Sequence, residues 1–137
     1  MLRLTAQDSD DLSVISAQMQ DAVVKLADFS FNAKRREFAV VANRFAWDAL
    51  PEKQRRRTGL HFESVLSAQR SGFAKATTAT VLSLLAITFT PTDKPSGFID
   101  LVFSEGHSIR LQVECLAAVM TDMGPAWSTD HQPEHVD

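Results

Sequence analysis

Apolar and polar residues alternate with a period of two over most of the chain, and this pattern predicts a protein built mainly of β-strands. The connections between the segments are rich in turn residues and mostly short, which leaves no room for the crossovers of a parallel sheet. We therefore expect antiparallel hairpins. The predicted strands follow a short opening strand at residues 2–4 and cover residues 21–31, 37–47, 59–70, 81–90, 98–103 and 109–113.

Two segments show the helical period of 3.6 instead. Asp8 is a suitable N-cap for a helix over residues 9–20, in which Leu12, Ile15 and Met19 share one side. A second helix is predicted after residue 115, because four apolar residues fall at i, i+3, i+4 and i+7 before a Gly-Pro stop. These four residues are Leu116, Val119, Met120 and Met123.

These elements indicate an α+β fold, with an antiparallel, strongly bent sheet or small barrel between an N-terminal helix and a C-terminal capping helix. In outline this order is similar to a pleckstrin-homology-like barrel, a likeness of architecture that carries no function. At 137 residues the chain is expected to form one domain, at residues 1–127. The polar residues 128–137 are expected to be a disordered tail.

Two details of the strands are less regular. Phe38, Val40 and Ala42 share one parity, whereas Phe45 and Trp47 have the other. A bulge near residues 43–44 would bring both sets to one face. Residues 48–58 have no apolar period and are predicted to form a loop.

Composition limits the class of protein. Hydrophobic residues make up 45% and charged residues 23%, as in ordinary globular proteins. The single cysteine, Cys115, has no partner for an internal disulfide, and the N-terminus lacks the pattern of a signal peptide. We expect a cytoplasmic protein that does not span a membrane, and the sequence leaves its oligomeric state open.

Charge is unevenly distributed around a net charge of -3. Residues 31–70 hold nine of the fourteen basic residues, and seven of these nine lie in two predicted loops at residues 32–36 and 51–58. If the loops converge, they can bind an acidic partner or a phosphate-bearing ligand. RNA is less favoured because no tyrosine accompanies the cations, and solvated loops are the alternative. The candidate binding residues are Lys34, Arg35, Arg36, Arg44, Trp47, Arg55, Arg56 and Arg57.

Catalytic patterns are weak. Cys115 has no C-x-x-C partner, and His131 and His135 lie in the polar tail with a proline between them, so neither a catalytic residue, a metal site nor a cofactor is expected. His61 and Glu63 lie two residues apart on one strand, where a small enzyme could place a pocket.

Six blocks of the sequence together carry a resemblance to a known family: SAQMQDAV (16–23), FAVVANRFAW (38–47), RRRTGLHF (55–62), LSLLAITF (82–89), IRLQVECL (109–116) and GPAW (124–127). They resemble the bacterial family called domain of unknown function 2948, and the resemblance covers nearly the whole chain. It implies a bacterial cytoplasmic role but no activity, ligand or catalytic residue. The leading hypothesis is a non-enzymatic binding domain; the alternatives are a small enzyme and a homo-oligomer that associates through Trp127 and a sheet edge.

Overall fold

A computed structural model describes residues 1–74 and 76–133. Nine strands and one helix, α1 (Ser9–Gln18), organise this part of the chain, with two short 3-10 turns at Trp47–Ala49 and Ser104–Gly106. This composition fits the predicted α+β class, with one helix in the described residues where two are predicted. The strands are β1 (Arg3–Ala6), β2 (Ala22–Asn32), β3 (Glu37–Phe45), β4 (Gln54–Phe62), β5 (Val65–Ser71), β6 (Val81–Pro91), β7 (Gly97–Phe103), β8 (Ser108–Val113) and β9 (Ala118–Ser128).

All nine strands belong to one sheet in the order β1-β9-β4-β3-β2-β6-β7-β8-β5, and every neighbouring pair is antiparallel. The prediction of an antiparallel sheet is confirmed, and the sheet is open rather than a closed barrel. The strand predicted at residues 59–70 is two strands. Ser64, with φ 59°, turns the chain between β4, which pairs with β9, and β5, which pairs with β8.

The core lies on one face of the sheet, which we call the inner face, beneath α1. Asp8 accepts a hydrogen bond from the Asp11 amide at 2.8 Å and caps the helix, as predicted. Leu12, Ile15 and Met19 are fully buried against inward residues of the strands. The helix is short for stability in isolation, so this packing is what holds it.

The predicted C-terminal helix is wrong, because residues Ala118–Ser128 form strand β9. Leu116 and Met120 are four residues apart, a spacing that satisfies both a helix and one face of a strand. β9 pairs with β4 along one side and with β1 at residues 118–121 along the other. These ladders decide between the two periods, and the capping helix of a pleckstrin-homology-like outline is not seen in residues 1–74 and 76–133.

The predicted bulge at residues 43–44 is also wrong, and the predicted loop at 48–58 is confirmed only for residues 48–53. β3 pairs with β4 without interruption from Phe38 opposite Phe62 to Phe45 opposite Arg55. Arg44 consequently shares the inward face with Phe38, and β4 already begins at Gln54. The irregularity lies in β2, where the register with β3 shifts between Val24 and Phe29.

Ser128 still belongs to β9, and residues 134–137, including His135, lie outside the described residues. The disordered tail therefore stays a prediction. No helix in the described part of the chain has both the length and the apolar character needed to cross a membrane.

Candidate functional site

The two basic segments lie at opposite ends of β3. Residues 33–36 form the turn between β2 and β3, whereas Arg55 pairs with Phe45 at the far end of that strand. Nine residues of strand separate them by roughly 25 Å. Lys34 and Arg35 are exposed, and Arg36 forms an ion pair with Glu114. The predicted cations therefore do not form one patch.

Arg44 is not at the surface at all. Its side chain is 0% exposed and forms a two-pronged ion pair with Asp122 of β9, with Nε to Oδ1 at 2.8 Å and Nη2 to Oδ2 at 2.7 Å. Nη1 donates to Asp48 Oδ1 at 3.0 Å. Every one of these contacts is internal, so Arg44 joins parts of the fold.

The Asp122 carboxylate also accepts hydrogen bonds from two further residues, Thr58 and Leu2. The Thr58 hydroxyl donates to Oδ1 at 2.8 Å, and the Leu2 amide donates to Oδ2 at 2.8 Å. Burial alone raises the pKa of Asp122, but the hydrogen bonds from Arg44, Leu2 and Thr58 and the charge of Arg44 outweigh burial and lower the pKa to about 2. Burial also lowers the pKa of Arg44, yet bonding to Asp122 and Asp48 raises it overall.

Trp47 is an anchor within the fold. Its Nε1 donates to the Gln20 carbonyl at 3.2 Å, and its ring meets that of Phe45 edge-on with centroids 4.6 Å apart. The indole thus links the 3-10 turn after β3 to Gln20, which lies between α1 and β2. This use of its N–H is typical of a half-buried tryptophan.

The arginines of β4 alternate between the two faces of the sheet. Arg56 points inward, with Nε 3.9 Å from Asp122 Oδ2. Arg57 is exposed on the outer face and makes no side-chain hydrogen bond or ion pair to residues 1–74 or 76–133. Arg55 is half-buried on the outer face and donates to the Asn43 carbonyl at 3.2 Å. Burial lowers the pKa of Arg55, and the charge of Asp21 acts in the opposite direction.

Exposed apolar side chains stand opposite these outward arginines. Trp127 is the register partner of Arg55, and Met123 is that of Arg57. Their exposed fractions are 42% and 44%, high for large apolar side chains. The outer face of β4 and β9 therefore combines cations with accessible apolar surface.

Lys25 of β2 completes this surface. It is exposed, and together with Arg57 it lines a polar cavity of about 180 Å³ above β3. We call the outward side chains of Lys25, Arg55 and Arg57 the cationic face. Sequence reasoning missed Lys25, although the alternation of Val23, Val24 and Lys25 places it outward.

Asp122 and Thr58 were missed as well, since the helical interpretation of residues 116–123 hid the strand parity that Asp122 shares with Ala118 and Met120. Placed on a strand, Asp122 falls on the buried face, where a lone carboxylate requires a cationic partner. That requirement is the signal that would have paired it with Arg44.

The alternative hypothesis of a small enzyme places its pocket near His61 and Glu63. His61 Nε2 lies 3.7 Å from Glu37 Oε2. Glu63 lines a wide depression of about 380 Å³ with charged side chains, and His61 is not in its lining. No hydrogen-bonded nucleophile and base are found among the described residues there. Those lining residues are Arg35, Arg36, Glu37, Glu63, Ser64 and Glu114.

Cys115 lines a larger, mainly apolar cavity of about 510 Å³ beside the start of α1. Phe89, Pro91 and Leu116 contribute the apolar wall. Cys115 is half-buried, and its thiol has no hydrogen bond to a described residue that could act as a base. In residues 1–74 and 76–133, no group of three His, Cys, Asp or Glu side chains is placed to hold a metal ion.

Comparison with known proteins gives one match. No curated protein and no solved structure is significantly similar to this chain. The model of one family, described as a protein of unknown function (DUF2948), matches residues 2–135, almost the full length. The chain therefore belongs to the DUF2948 family.

Proposed function

We propose that the chain is a small cytoplasmic binding domain whose cationic face contacts an acidic partner or a phosphate-bearing ligand. The single observation that carries this proposal is the pairing of outward arginines with exposed apolar side chains across β4 and β9, Arg55 beside Trp127 and Arg57 beside Met123. Arginine and tryptophan are the residues that most often dominate binding energy at interfaces.

Charge favours the same surface. The chain as a whole carries a net charge of -3, so its attraction for an anion must be local. Lys25 and Arg57 have no ion-pair partner in the described residues, whereas Arg36, Arg44 and Arg110 are each paired with a carboxylate. Cations that the fold leaves unpaired are the ones available to a partner.

The test is to replace Arg55 and Arg57 together by glutamine. Arg56 is left intact, because it faces Asp122 in the interior. The matched control replaces Lys34 and Arg35 by glutamine. Both residues are exposed, and their replacement removes the same amount of charge at the other end of β3. We expect affinity purification with mass spectrometry to lose specific partners with the Arg55 and Arg57 variant and to retain them with the control. Equal recovery by both variants would contradict the proposal.

Self-association is a second candidate, favoured by the edge of β9. Beyond the stretch covered by β1, Met123, Trp127 and Ser128 pair with β4 on one side only, and Trp127 is exposed there. Pro125 lacks an amide donor, which limits strand addition at this edge. Light scattering at high concentration tests this candidate: a dimer that Trp127→Ser converts to a monomer would support it, and a monomeric wild-type chain would remove it.

A further inference from the structure

The bulge in β2 builds a concave site on the outer face of the sheet. Val24 pairs with Ala42 and Phe29 with Val40, so residues 25–28 of β2 stand opposite Val41 alone. Lys25 still pairs with Val81 of β6, and the Leu26 amide donates to the Thr80 carbonyl at 3.0 Å, so these residues leave only the β2–β3 ladder. We call residues 25–28 the rim of the cavity above β3, because Lys25 and Asp28 line it. Bulges that redirect side chains are frequent beside functional sites.

The cavity under this rim is lined by hydrogen-bond donors from three neighbouring strands. Lys25 comes from β2, Asn43 from β3 and Arg57 from β4. Val23, Asn43 and Arg57 lie side by side in register, and β2 and β4 flank β3 at a separation of about 10 Å. The two cations therefore approach the same space from opposite sides.

These donors are not used inside the protein. Neither Lys25 nor Arg57 makes a side-chain hydrogen bond or ion pair to residues 1–74 or 76–133, and the Asn43 side-chain amide makes no hydrogen bond to them. Asp28 is the acidic group in the lining, so the charge of the cavity is net positive. An ammonium group, a guanidinium fork and an amide together match a group with several acceptor oxygens.

From this arrangement we infer that the cavity binds the phosphoryl group of a phosphate monoester. The inference rests on the proposed function and narrows it to one ligand class and one place. A volume of about 180 Å³ accommodates one tetrahedral group but not a length of polymer. A monoester presents three acceptor oxygens and nearly two negative charges, whereas a diester or a carboxylate presents two oxygens and one charge.

Asp28 allows a prediction of opposite direction to those for Lys25 and Arg57. Its carboxylate lines the same cavity as the two cations and repels a dianion. Replacing it with asparagine keeps the shape and removes the repulsion. Asp28→Asn should therefore tighten binding of a monoester, whereas Lys25→Gln and Arg57→Gln should each weaken it.

The test is an NMR titration of the full chain at low salt with glycerol phosphate, dimethyl phosphate and pentaglutamate. We expect glycerol phosphate to shift the amide signals of Lys25, Asn43 and Arg57, with affinity about tenfold lower after Lys25→Gln or Arg57→Gln. Asp28→Asn should raise the affinity, and Lys34→Gln, the matched control on the β2–β3 turn, should leave it unchanged.

Each other result overturns the inference. The cavity is not a monoester site if glycerol phosphate causes no shifts at Lys25, Asn43 and Arg57, or if dimethyl phosphate binds as tightly as glycerol phosphate. The same conclusion follows if Lys34→Gln weakens the binding of glycerol phosphate as much as Lys25→Gln or Arg57→Gln does. If pentaglutamate binds the cationic face while glycerol phosphate does not enter the cavity, the inference fails and the proposed function stands. If neither probe binds, both fail.

Discussion

Arg44 of β3 and Asp122 of β9 form a two-pronged ion pair in the interior, although β4 lies between their strands. Asp122 also accepts hydrogen bonds from the Thr58 hydroxyl of β4 and from the backbone amide of Leu2. The N-terminus, the middle of the sheet and the last strand thus share one buried polar cluster. Such a pair is costly to break, because either partner alone is a buried charge without compensation.

Replacing Asp122 with asparagine should therefore destabilise the fold strongly. We expect the free energy of unfolding to fall by about 3 to 5 kcal/mol, since Arg44 loses its main counter-charge. Urea denaturation followed by circular dichroism measures this change. Asp100→Asn is the control, because Asp100 pairs with Arg110 at the surface and its loss should have little effect. Equal losses from both substitutions would contradict the role given to Asp122.

The same carboxylate predicts how stability depends on pH. Its pKa is about 2 in the folded chain, compared with an ordinary value of 3.8. A depressed pKa contributes stability that is complete above about pH 5 and is lost as pH falls from about 4 towards 2, an effect of about 2 kcal/mol. Unfolding measured at pH 6 and pH 3 should show the loss in the wild type. Asp122→Asn should lose less between the two pH values; an equal loss would assign the effect to other groups.

Gly97 provides a test of the β6–β7 hairpin. A Cβ atom there would lie 2.5 Å from the Thr90 carbonyl oxygen and 2.6 Å from the Phe89 ring. Gly97→Ala should lower the free energy of unfolding by about 1 to 3 kcal/mol, because backbone and ring must both move. Gly59→Ala is the comparison. Its Cβ atom would lie 3.2 Å from the Met123 sulfur, which belongs to a flexible side chain, and 3.9 Å from the Thr121 carbonyl oxygen. Thermal unfolding of the two variants should separate them, and a larger loss at Gly59 would be inconsistent with this packing.

Strand alternation predicted most of the sheet because local parity records which face of a strand is buried. β6 and β7 lie where the pattern places them, and the Asp8 cap begins α1 as predicted. Residues 116–123 were misassigned because their apolar spacing fits both periods. The choice depends on pairing with β4, which is distant in sequence.

The candidate site was harder to predict for the same reason. Arg44 looks like a surface cation in the sequence, and only a carboxylate 78 residues away explains its burial. Lys25 and Arg57 are brought together by the pairing of β2 and β4 with β3 and by the bulge in β2. Local patterns carry no information on such long-range register, so the predicted patch joined cations that lie far apart.

Binding at the cationic face should also depend on salt. Arg57 and Lys25 are exposed, so their attraction for an anion is screened within about 8 Å at physiological ionic strength. We expect affinity for pentaglutamate to fall steeply between 20 and 200 mM NaCl, roughly tenfold or more. Titrations at both salt concentrations measure this dependence. Salt-independent affinity would indicate contact through Trp127 and Met123 alone.

The central claim is that the outer face of β4 and β9 is the binding surface, and the two tryptophan indole signals in an NMR titration test it most directly. Trp127 lies on that face, whereas the Trp47 indole is bonded to Gln20 within the fold. On addition of pentaglutamate, the account predicts shifts of the Trp127 indole and the Arg55 and Arg57 amides, with the Trp47 indole unchanged. Shifts centred on Lys34 and Arg35 instead, with Trp127 silent, would contradict it.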